Sequence, residues 1–270
     1  MSVFNRLKKK AFIFRSPWSD MIQFLIFSSA MVWLISMSVS NLGYHWRWNR
    51  MGQYLFRIEE GRVVAGALME GLIFTLKISG ASLVVALASG LIMALLRLSN
   101  SFSGRFIARG VLETIRNTPL VVQIYLAYFI IGPAFGLGRF SSVALALGLY
   151  EGAYMSEILR AGVVSLPKGQ WEAAQSLGFG GVGTYLFVIL PQAIRRVLPP
   201  LTGQTISLFK DSALASIVSL NDLALQARIV AADTFLVFEV WFAAAGIYLT
   251  VTATLSMVVF YMEKRFKIRV

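Results

Sequence analysis

Residues 78–96 read ISGASLVVALASGLIMALL and contain no charged side chain. An α-helix needs about 20 mostly apolar residues to cross the hydrocarbon core of a bilayer, so this stretch is long enough to span a membrane. Three other uncharged stretches have a similar length, namely residues 21–40, 117–138 and 240–262. The sequence therefore predicts a transmembrane helix at each of these stretches.

Two further stretches, residues 140–163 and 197–221, are long enough to span a membrane but contain ionisable side chains. A charged group in hydrocarbon is costly, so these side chains are expected to face protein or a water-filled path. The sequence thus predicts six spans, two of them with a polar side. The ionisable residues in these two stretches are Glu151, Glu157, Arg160, Lys210 and Asp211.

The composition of the 270-residue chain agrees with a membrane protein, because 57% of its residues are hydrophobic and only 14% are charged. A soluble domain usually has about a quarter of its residues charged. The formal net charge is +12, but the basic residues are scattered between apolar runs, so no nucleic-acid partner is expected. The chain has no cysteine, which excludes a disulfide scaffold.

The distribution of the 25 basic residues predicts the orientation of the chain. By the positive-inside rule, the segments richest in Lys and Arg are cytoplasmic, so both termini are expected in the cytoplasm. Residues 41–69 would then form an outside loop. The basic segments are residues 1–20, 97–116, 160–196 and 263–270.

The predicted cytoplasmic loop at about residues 164–196 is longer than a simple connection requires. Pro167 can begin a short amphipathic helix, the glycines from Gly178 onward can end it, and a second apolar helix runs to Pro191. Such a helical pair could dock a soluble partner. Its periodicity fits a helix lying at the membrane interface equally well.

The spacing of residues within this loop resembles the EAA signature of bacterial ABC-importer permeases. That signature is EAA, three residues, Gly, nine residues, Ile, any residue and Leu-Pro. Val188 takes the place of the Ile. The matching residues are Glu172, Ala173, Ala174, Gly178, Leu190 and Pro191.

Stretches outside the loop resemble the permease subunits of the polar amino-acid uptake family, which includes histidine-, glutamine- and glutamate-type permeases. The resemblance extends from Glu70 to the end of the chain. The stretches are EGLIFTLKIS at 70–79, ETIRNTPLVVQIYLAYF at 113–129, GAYMSEILRAG at 152–162 and LFKDSALASIV at 208–218.

The resemblance implies an all-α integral membrane fold with a five-helix type I importer core at residues 70–270 and a cytoplasmic coupling helix. Residues 1–69 would add a basic cytoplasmic N-terminus, an extra transmembrane anchor at about 21–40 and a periplasmic loop. The protein would lie in the bacterial inner membrane as a multi-pass subunit.

The resemblance also implies partners: two ATP-binding subunits, a second permease that is identical or homologous, and a periplasmic amino-acid-binding protein. The substrate would be an amino acid, and membrane lipid would surround the spans. The sequence contains no G-x-x-x-x-G-K-[ST] stretch, so it cannot form a P-loop of its own. The sequence has no His/Cys/Asp cluster with metal spacing and no Ser/His/Asp set, so no cofactor, metal or enzymatic activity is expected on this chain. ATP and magnesium would belong to the partner ATPase.

The resemblance assigns Glu172, Ala173, Ala174, Gly178, Leu190 and Pro191 to coupling with the ATPase. The ionisable spans supply candidates for a substrate pathway, because a zwitterion needs an acceptor for its ammonium and donors for its carboxylate. The acidic and basic side chains of these spans could instead pair with one another and only hold the helices together. The pathway candidates are Glu151, Tyr154, Glu157, Thr205, Ser207, Lys210 and Asp211.

Two alternatives to a polar amino-acid permease stay open at this point. The chain could be the permease for another small solute, because such importers share the docking loop. It could also be a self-sufficient secondary transporter, although no internal repeat is evident and such a carrier needs no docking loop. Pro199 and Pro200 could break the fifth span in either case.

Overall fold

The computed structural model describes residues 17–41 and 43–265. The chain divides into two compact units, Met1–Arg47 and Trp48–Val270. The first contains helix α1, Pro17–Asn41, whose apolar side chains are largely exposed. The predicted basic N-terminal segment, residues 1–16, and the last residues, 266–270, lie outside the described part of the chain, and the cytoplasmic position of both termini stays a prediction.

The second unit is built from long helices and one small hairpin. A helical turn, Trp48–Arg50, and a short helix, Gly52–Leu55, precede an antiparallel hairpin in which Phe56 pairs with Ala65. Its further elements are α2 Gly52–Leu55, β1 Phe56–Glu59, β2 Arg62–Ala65, α3 Ala67–Leu98, α4 Phe102–Arg116, α5 Leu120–Ala134, α6 Arg139–Val164, α7 Lys168–Ser176, α8 Gly181–Val218, α9 Leu223–Thr234 and α10 Val237–Arg265.

The apolar lengths of α3 and α10 are sufficient to cross a bilayer, as their sequences predict. The pairs α4–α5 and α8–α9 are also long and apolar enough, but they bend by 104° and 51° at short breaks. The all-α membrane architecture is therefore confirmed, whereas the number of six spans stays a prediction. Most of α10 exposes apolar side chains, as is typical of a helix surface that faces lipid or another protein segment.

The close contact between α3 and α6 forms the centre of the unit. The two helices run in the same direction, and small residues let their backbones approach. A Cβ atom on Gly148 would collide with the Val85 side chain, and one on Gly90 would lie 2.9 Å from the carbonyl oxygen of Gly152. The helices can hold this spacing only because these positions lack side chains.

Polar side chains of α3 tie the other helices to this centre. Ser79 Oγ donates a hydrogen bond to Ser212 Oγ of α8 at 3.0 Å, in a buried position. The Thr75 hydroxyl accepts a 3.0 Å hydrogen bond from the backbone N–H of Leu223, the first residue of α9. The start of α9 is thus fixed on α3, and Asp222 caps it by accepting from the N–H of Leu225 at 2.8 Å.

Residues 48–69, which the sequence analysis grouped with the N-terminal region, pack on the rest of the second unit. Met51 and Leu68 are buried in one apolar cluster with α9 and α10 residues such as Leu223 and Val240. The domain boundary at residue 69 stays a prediction, while the contacts place the hairpin and α2 with the long helices.

Proline has different effects at two places in the bundle. Pro119 has no N–H and lies at the 104° bend between α4 and α5, where the Gln123 amide donates to the carbonyl of Ile115 at 2.7 Å. Pro199 and Pro200 lie inside an uninterrupted α-helical part of α8, Leu190–Asp211. The expectation that these two prolines break the span is therefore wrong.

Replacing Gly148 by Ile is expected to destabilise the protein, because the new side chain overlaps Val85 in the α3–α6 contact. Overpacking of this kind typically costs about 1–3 kcal/mol. The measurement is the thermal unfolding midpoint of the purified membrane protein. Gly80→Ile is the matched control, since a Cβ at Gly80 on α3 meets no atom within 4 Å; equal midpoints for the two variants would contradict the close contact.

Candidate functional site

The predicted helix–turn–helix in the long loop is present, and we define residues 165–191 as the docking loop. Helix α7 begins after Pro167, whose extended backbone cannot continue α6. It ends at Ser176, and Gly178, two residues further on, has a φ of +83°. The N–H of Phe179 donates to the carbonyl of Ala174 at 3.1 Å, and that of Gly178 donates to the carbonyl of Gln175 at 2.9 Å. This is a Schellman turn, which favours glycine at the left-handed position.

The docking loop is fixed to the beginning of α8 by side-chain contacts. The rings of Trp171 and Tyr185 meet edge to face with centroids 4.8 Å apart. The Gln192 amide donates to Gln170 Oε1 at 2.9 Å. Ala174, the last residue of the EAA stretch, is buried, so this end of the stretch packs inward. Helix α7 is therefore in direct side-chain contact with the beginning of α8.

The signature residues Leu190 and Pro191 mark the point where α8 becomes α-helical. Residues Thr184–Ile189 form a π-helical segment, and the α-helical part starts at Leu190. Pro191 has no N–H to donate to the preceding turn, which favours a change of helical pitch there. Ile189 and Ala193 on either side are buried under Leu166.

The outer surface of the docking loop exposes apolar side chains. Leu177 is 77% exposed and Val182 is 75% exposed, and Glu172 and Ala173 are also exposed beside them. An apolar patch that no part of the described chain covers indicates contact with another protein or with the membrane. The inward-facing Ala174 supports the turn, while its neighbours form the contact surface.

A polar row follows one side of α6, as the spacing of Tyr150, Tyr154 and Glu157 predicts. The Tyr150 and Tyr154 hydroxyls lie 3.2 Å apart. Arg160 forms an ion pair with one carboxylate oxygen of Glu157, and Arg97 of α3 forms an ion pair with the other, each at 2.5 Å. The predicted Glu157–Arg160 pair is thus present, and Arg97 is an additional partner. Both oxygens of Glu157 are engaged, so in this conformation Glu157 holds α3 to α6.

Glu151, next to Tyr150 on α6, has different partners, and we count it with Tyr150, Tyr154 and Glu157 as the polar row. Its side chain is fully buried, and Oε2 accepts a 2.5 Å hydrogen bond from the Gln204 amide of α8. Oε1 has no hydrogen-bond partner among the described residues. The carboxyl group of Asp211 lies close enough to interact with it. A buried acceptor with a free oxygen is suited to bind a cationic group.

Three residues of this region were not identified by sequence reasoning, namely Arg97, Arg116 and Gln204. The Arg116 guanidinium lies 5.4 Å from the centre of the Tyr154 ring and forms no ion pair with the described residues. Arg97 and Arg116 were read only as topology signals, because each lies at the end of a span. Their partners belong to other helices, and no local pattern in the sequence indicates them.

The remaining pathway candidates do not join the polar row. The Thr205 hydroxyl donates to the carbonyl of Leu201 in its own helix at 3.0 Å. Lys210 is exposed, and Ser207 is partly buried, and neither side chain is hydrogen-bonded within the described chain. A cavity of about 240 Å³ lies nearby, between α4, α5 and α6, but its lining is mostly apolar and offers few groups for a zwitterion.

A helical membrane subunit with a rigid docking loop, an internal polar row and no P-loop in its sequence defines a class: the transmembrane subunit of a multi-component transporter. The chain belongs to the family described as binding-protein-dependent transport system inner membrane component, which residues 86–268 match.

Two relatives are permeases of amino-acid transport systems. The glutamine transport system permease protein GlnP of Escherichia coli strain K12 is 36% identical over 204 residues, covering 74% of this chain and 93% of that protein. The L-cystine transport system permease protein TcyB of Bacillus subtilis strain 168 is 38% identical over 203 residues, covering 73% and 86%.

A solved structure gives the same result. The crystal structure of an amino acid ABC transporter with histidines matches with a TM-score of 0.69 and 36% sequence identity, covering 74% of this chain and 94% of the solved chain. The family resemblance seen in the sequence is therefore confirmed, as is the type I importer fold. The roles of individual residues stay predictions.

Replacing Gly178 by Val is expected to loosen the docking loop, because a left-handed backbone costs a residue with a Cβ roughly 1–2 kcal/mol. Gly178→Asn is the matched variant, since Asn tolerates this conformation and a Cβ at Gly178 meets no atom within 4 Å. Limited proteolysis measures the loop directly. We expect faster cleavage in the Val variant alone; identical cleavage of both variants would show that the turn does not need its glycine.

Proposed function

We propose that this permease subunit carries polar amino acids across the bacterial inner membrane as part of an ATP-driven importer. Two separate subunits would bind and hydrolyse ATP with magnesium, and a periplasmic binding protein would deliver the substrate. A second permease, identical or homologous, would complete the membrane pathway. The observation that carries the proposal is the docking loop, since a rigid loop with an exposed apolar surface matches a transporter whose energy comes from a partner.

The contacts inside the docking loop support a mechanical role. Because Trp171 packs on Tyr185 and Gln170 bonds to Gln192, a displacement of α7 moves α8 as one body. Closing of the ATP-binding subunits would shift α7, and α8 would transmit the shift to the polar row through Gln204. The membrane helices would then alternate between two arrangements that expose the row to opposite sides.

The polar row supports an amino acid as the transported solute. Glu151 and Asp211 offer carboxyl oxygens as acceptors for an ammonium, and Arg116, without an ion pair among the described residues, offers a cation for a carboxylate. These charges come from three different helices, so a change in helix arrangement alters their separation and can weaken binding on release. The glutamine permease and the cystine permease have similar sequence identity to this chain. This similarity favours polar amino acids as a class over one particular amino acid.

The docking assignment predicts that Leu177→Ala combined with Val182→Ala weakens binding of the ATP-binding subunit. Both side chains are mostly exposed in this chain, so their loss should leave its own thermal stability unchanged. Truncation of apolar anchors at the centre of an interface commonly costs about 2 kcal/mol or more. The measurement is the amount of ATP-binding subunit that co-purifies with the tagged permease.

A suitable control for this test is Val63→Ala with Ile58→Ala, because both side chains are also exposed but lie in the β-hairpin. Loss of the ATP-binding subunit in the loop variant and its retention in the hairpin variant is the expected result. A permease that purifies without any ATPase and still moves amino acid in liposomes without ATP would favour a self-sufficient secondary transporter.

The substrate assignment predicts that Glu151→Gln reduces amino-acid uptake while the complex stays assembled. The amide keeps the size of the side chain and removes the negative charge that would face the substrate ammonium. Loss of a hydrogen bond to a charged group costs about 1.5–3 kcal/mol, or about a tenfold to hundredfold loss of affinity. Uptake of labelled glutamine into proteoliposomes measures it, and Glu59→Gln, which makes the same change at an exposed carboxylate of the β-hairpin, is the control. A complex that falls apart would instead indicate that Glu151 only joins helices.

A further inference from the structure

Helix α4 has an orientation that separates it from the spanning helices. It makes an angle of 104° with the following helix α5, so an upright α5 leaves α4 close to the plane of the membrane. The beginning of α4 follows the C-terminal end of α3, and the docking loop follows the C-terminal end of α6, which runs parallel to α3. Helix α4 therefore lies at the same end of the bundle as the docking loop, the predicted cytoplasmic side.

The surface of α4 is divided into three sectors. Ala108 and Leu112 are buried against the bundle. Phe102 and Phe106, one turn apart, are 78% and 72% exposed, and their rings stack with centroids 6.4 Å apart and planes at 16°. The third sector carries basic side chains. A helix in the membrane plane with an apolar side and a basic side is typical of attachment to a lipid surface.

Arg105 and Arg109 provide the basic side at the N-terminal half of α4. Neither forms an ion pair or a hydrogen bond through its side chain with the described residues. Together with Phe102 and Phe106 they line a surface cavity of about 300 Å³. The nearest acidic residue along the helix, Glu113, lies one turn beyond Arg109, and its Oε2 accepts from the Asn117 amide at 3.0 Å. The two guanidinium groups thus face an open cavity with an aromatic floor.

We propose that this cavity binds the phosphate headgroup of an anionic phospholipid of the cytoplasmic leaflet. Arg105 and Arg109 donate to the phosphodiester oxygens, for which a planar guanidinium is well suited. The stacked Phe102 and Phe106 rings contact the acyl chains below the headgroup. Anionic lipids of the cytoplasmic leaflet supply the negative charge at this end of the bundle.

The site lies outside the proposed coupling surface and the polar row, so it does not depend on which solute is transported. Its position has a structural consequence, because the same helix ends at Arg116 over the Tyr154 ring. A lipid held at the beginning of α4 fixes the helix whose other end contacts the row.

The test measures how much lipid the full chain in its assembly retains after extraction from nanodiscs of phosphatidylglycerol and phosphatidylcholine. Native mass spectrometry detects the lipid that stays bound. The variant is Arg105→Gln with Arg109→Gln. The matched control is Arg62→Gln with Arg139→Gln, which removes the same charge from two exposed positions, in the β-hairpin and at the N-terminus of α6. Each basic residue near an anionic surface contributes about fivefold to binding, so retention of phosphatidylglycerol should fall about 25-fold in the variant and little in the control.

Two further arms identify the ligand. Phe102→Ala with Phe106→Ala should reduce retention of both lipids, because the acyl contact does not depend on headgroup charge. Inorganic phosphate at matched ionic strength should not displace phosphatidylglycerol; displacement would assign the site to a free anion and overturn the lipid. Equal retention by the arginine variant and its control, or loss of the ATP-binding subunit with lipid unchanged, would also overturn the proposal.

Discussion

The close approach of α3 and α6 is the constraint on which the rest of the bundle depends. Gly148, Gly152 and Gly90 leave no room for side chains at the crossing, so the two backbones meet directly. Within a membrane, helix association relies on such packing. Lipid tails are as apolar as the helix surfaces, so there is no hydrophobic driving force between the helices. The same contact aligns Arg97 with Glu157, and it exposes the hydroxyl side of α3 to α8 and α9. A change at the crossing would therefore disturb the polar row and the hydrogen bonds of α3 to α8 and α9 together.

The polar row shows how buried charge is managed differently at its two ends. Glu157 is neutralised on both oxygens by two arginines, which offsets the desolvation that an unpaired carboxylate would suffer. Glu151 keeps a free oxygen near Asp211, and only Gln204 satisfies the other. The Glu157 end of the row is thus held to α3, while the Glu151 end keeps an unsatisfied acceptor. The proposed binding and release of a charged solute requires such incomplete pairing.

The docking loop and the row are mechanically connected through α8. The turn at Gly178 and the Trp171–Tyr185 contact make the loop stiff, and α8 continues without interruption through Pro199 and Pro200 to Gln204. Two prolines inside a helix remove hydrogen bonds yet are tolerated where neighbouring helices support the backbone. The breaks occur instead at the π-helical segment before Leu190 and the 3₁₀ segment after Asp211, and these are the places where pitch can change.

The sequence by itself determined the properties that depend on neighbouring residues: uncharged stretches of spanning length, the Pro167 and Gly178 limits of α7, and the Glu157–Arg160 pair one turn apart. Hydrophobic length, turn chemistry and helical spacing are local, so they can be read directly. Only the tertiary structure decided which distant groups meet. Arg97 lies 60 positions from Glu157, and Gln204 lies 53 positions from Glu151. Such pairs depend on the distance between packed helices. Small residues such as Gly152 determine that distance, and no local sequence pattern indicates it.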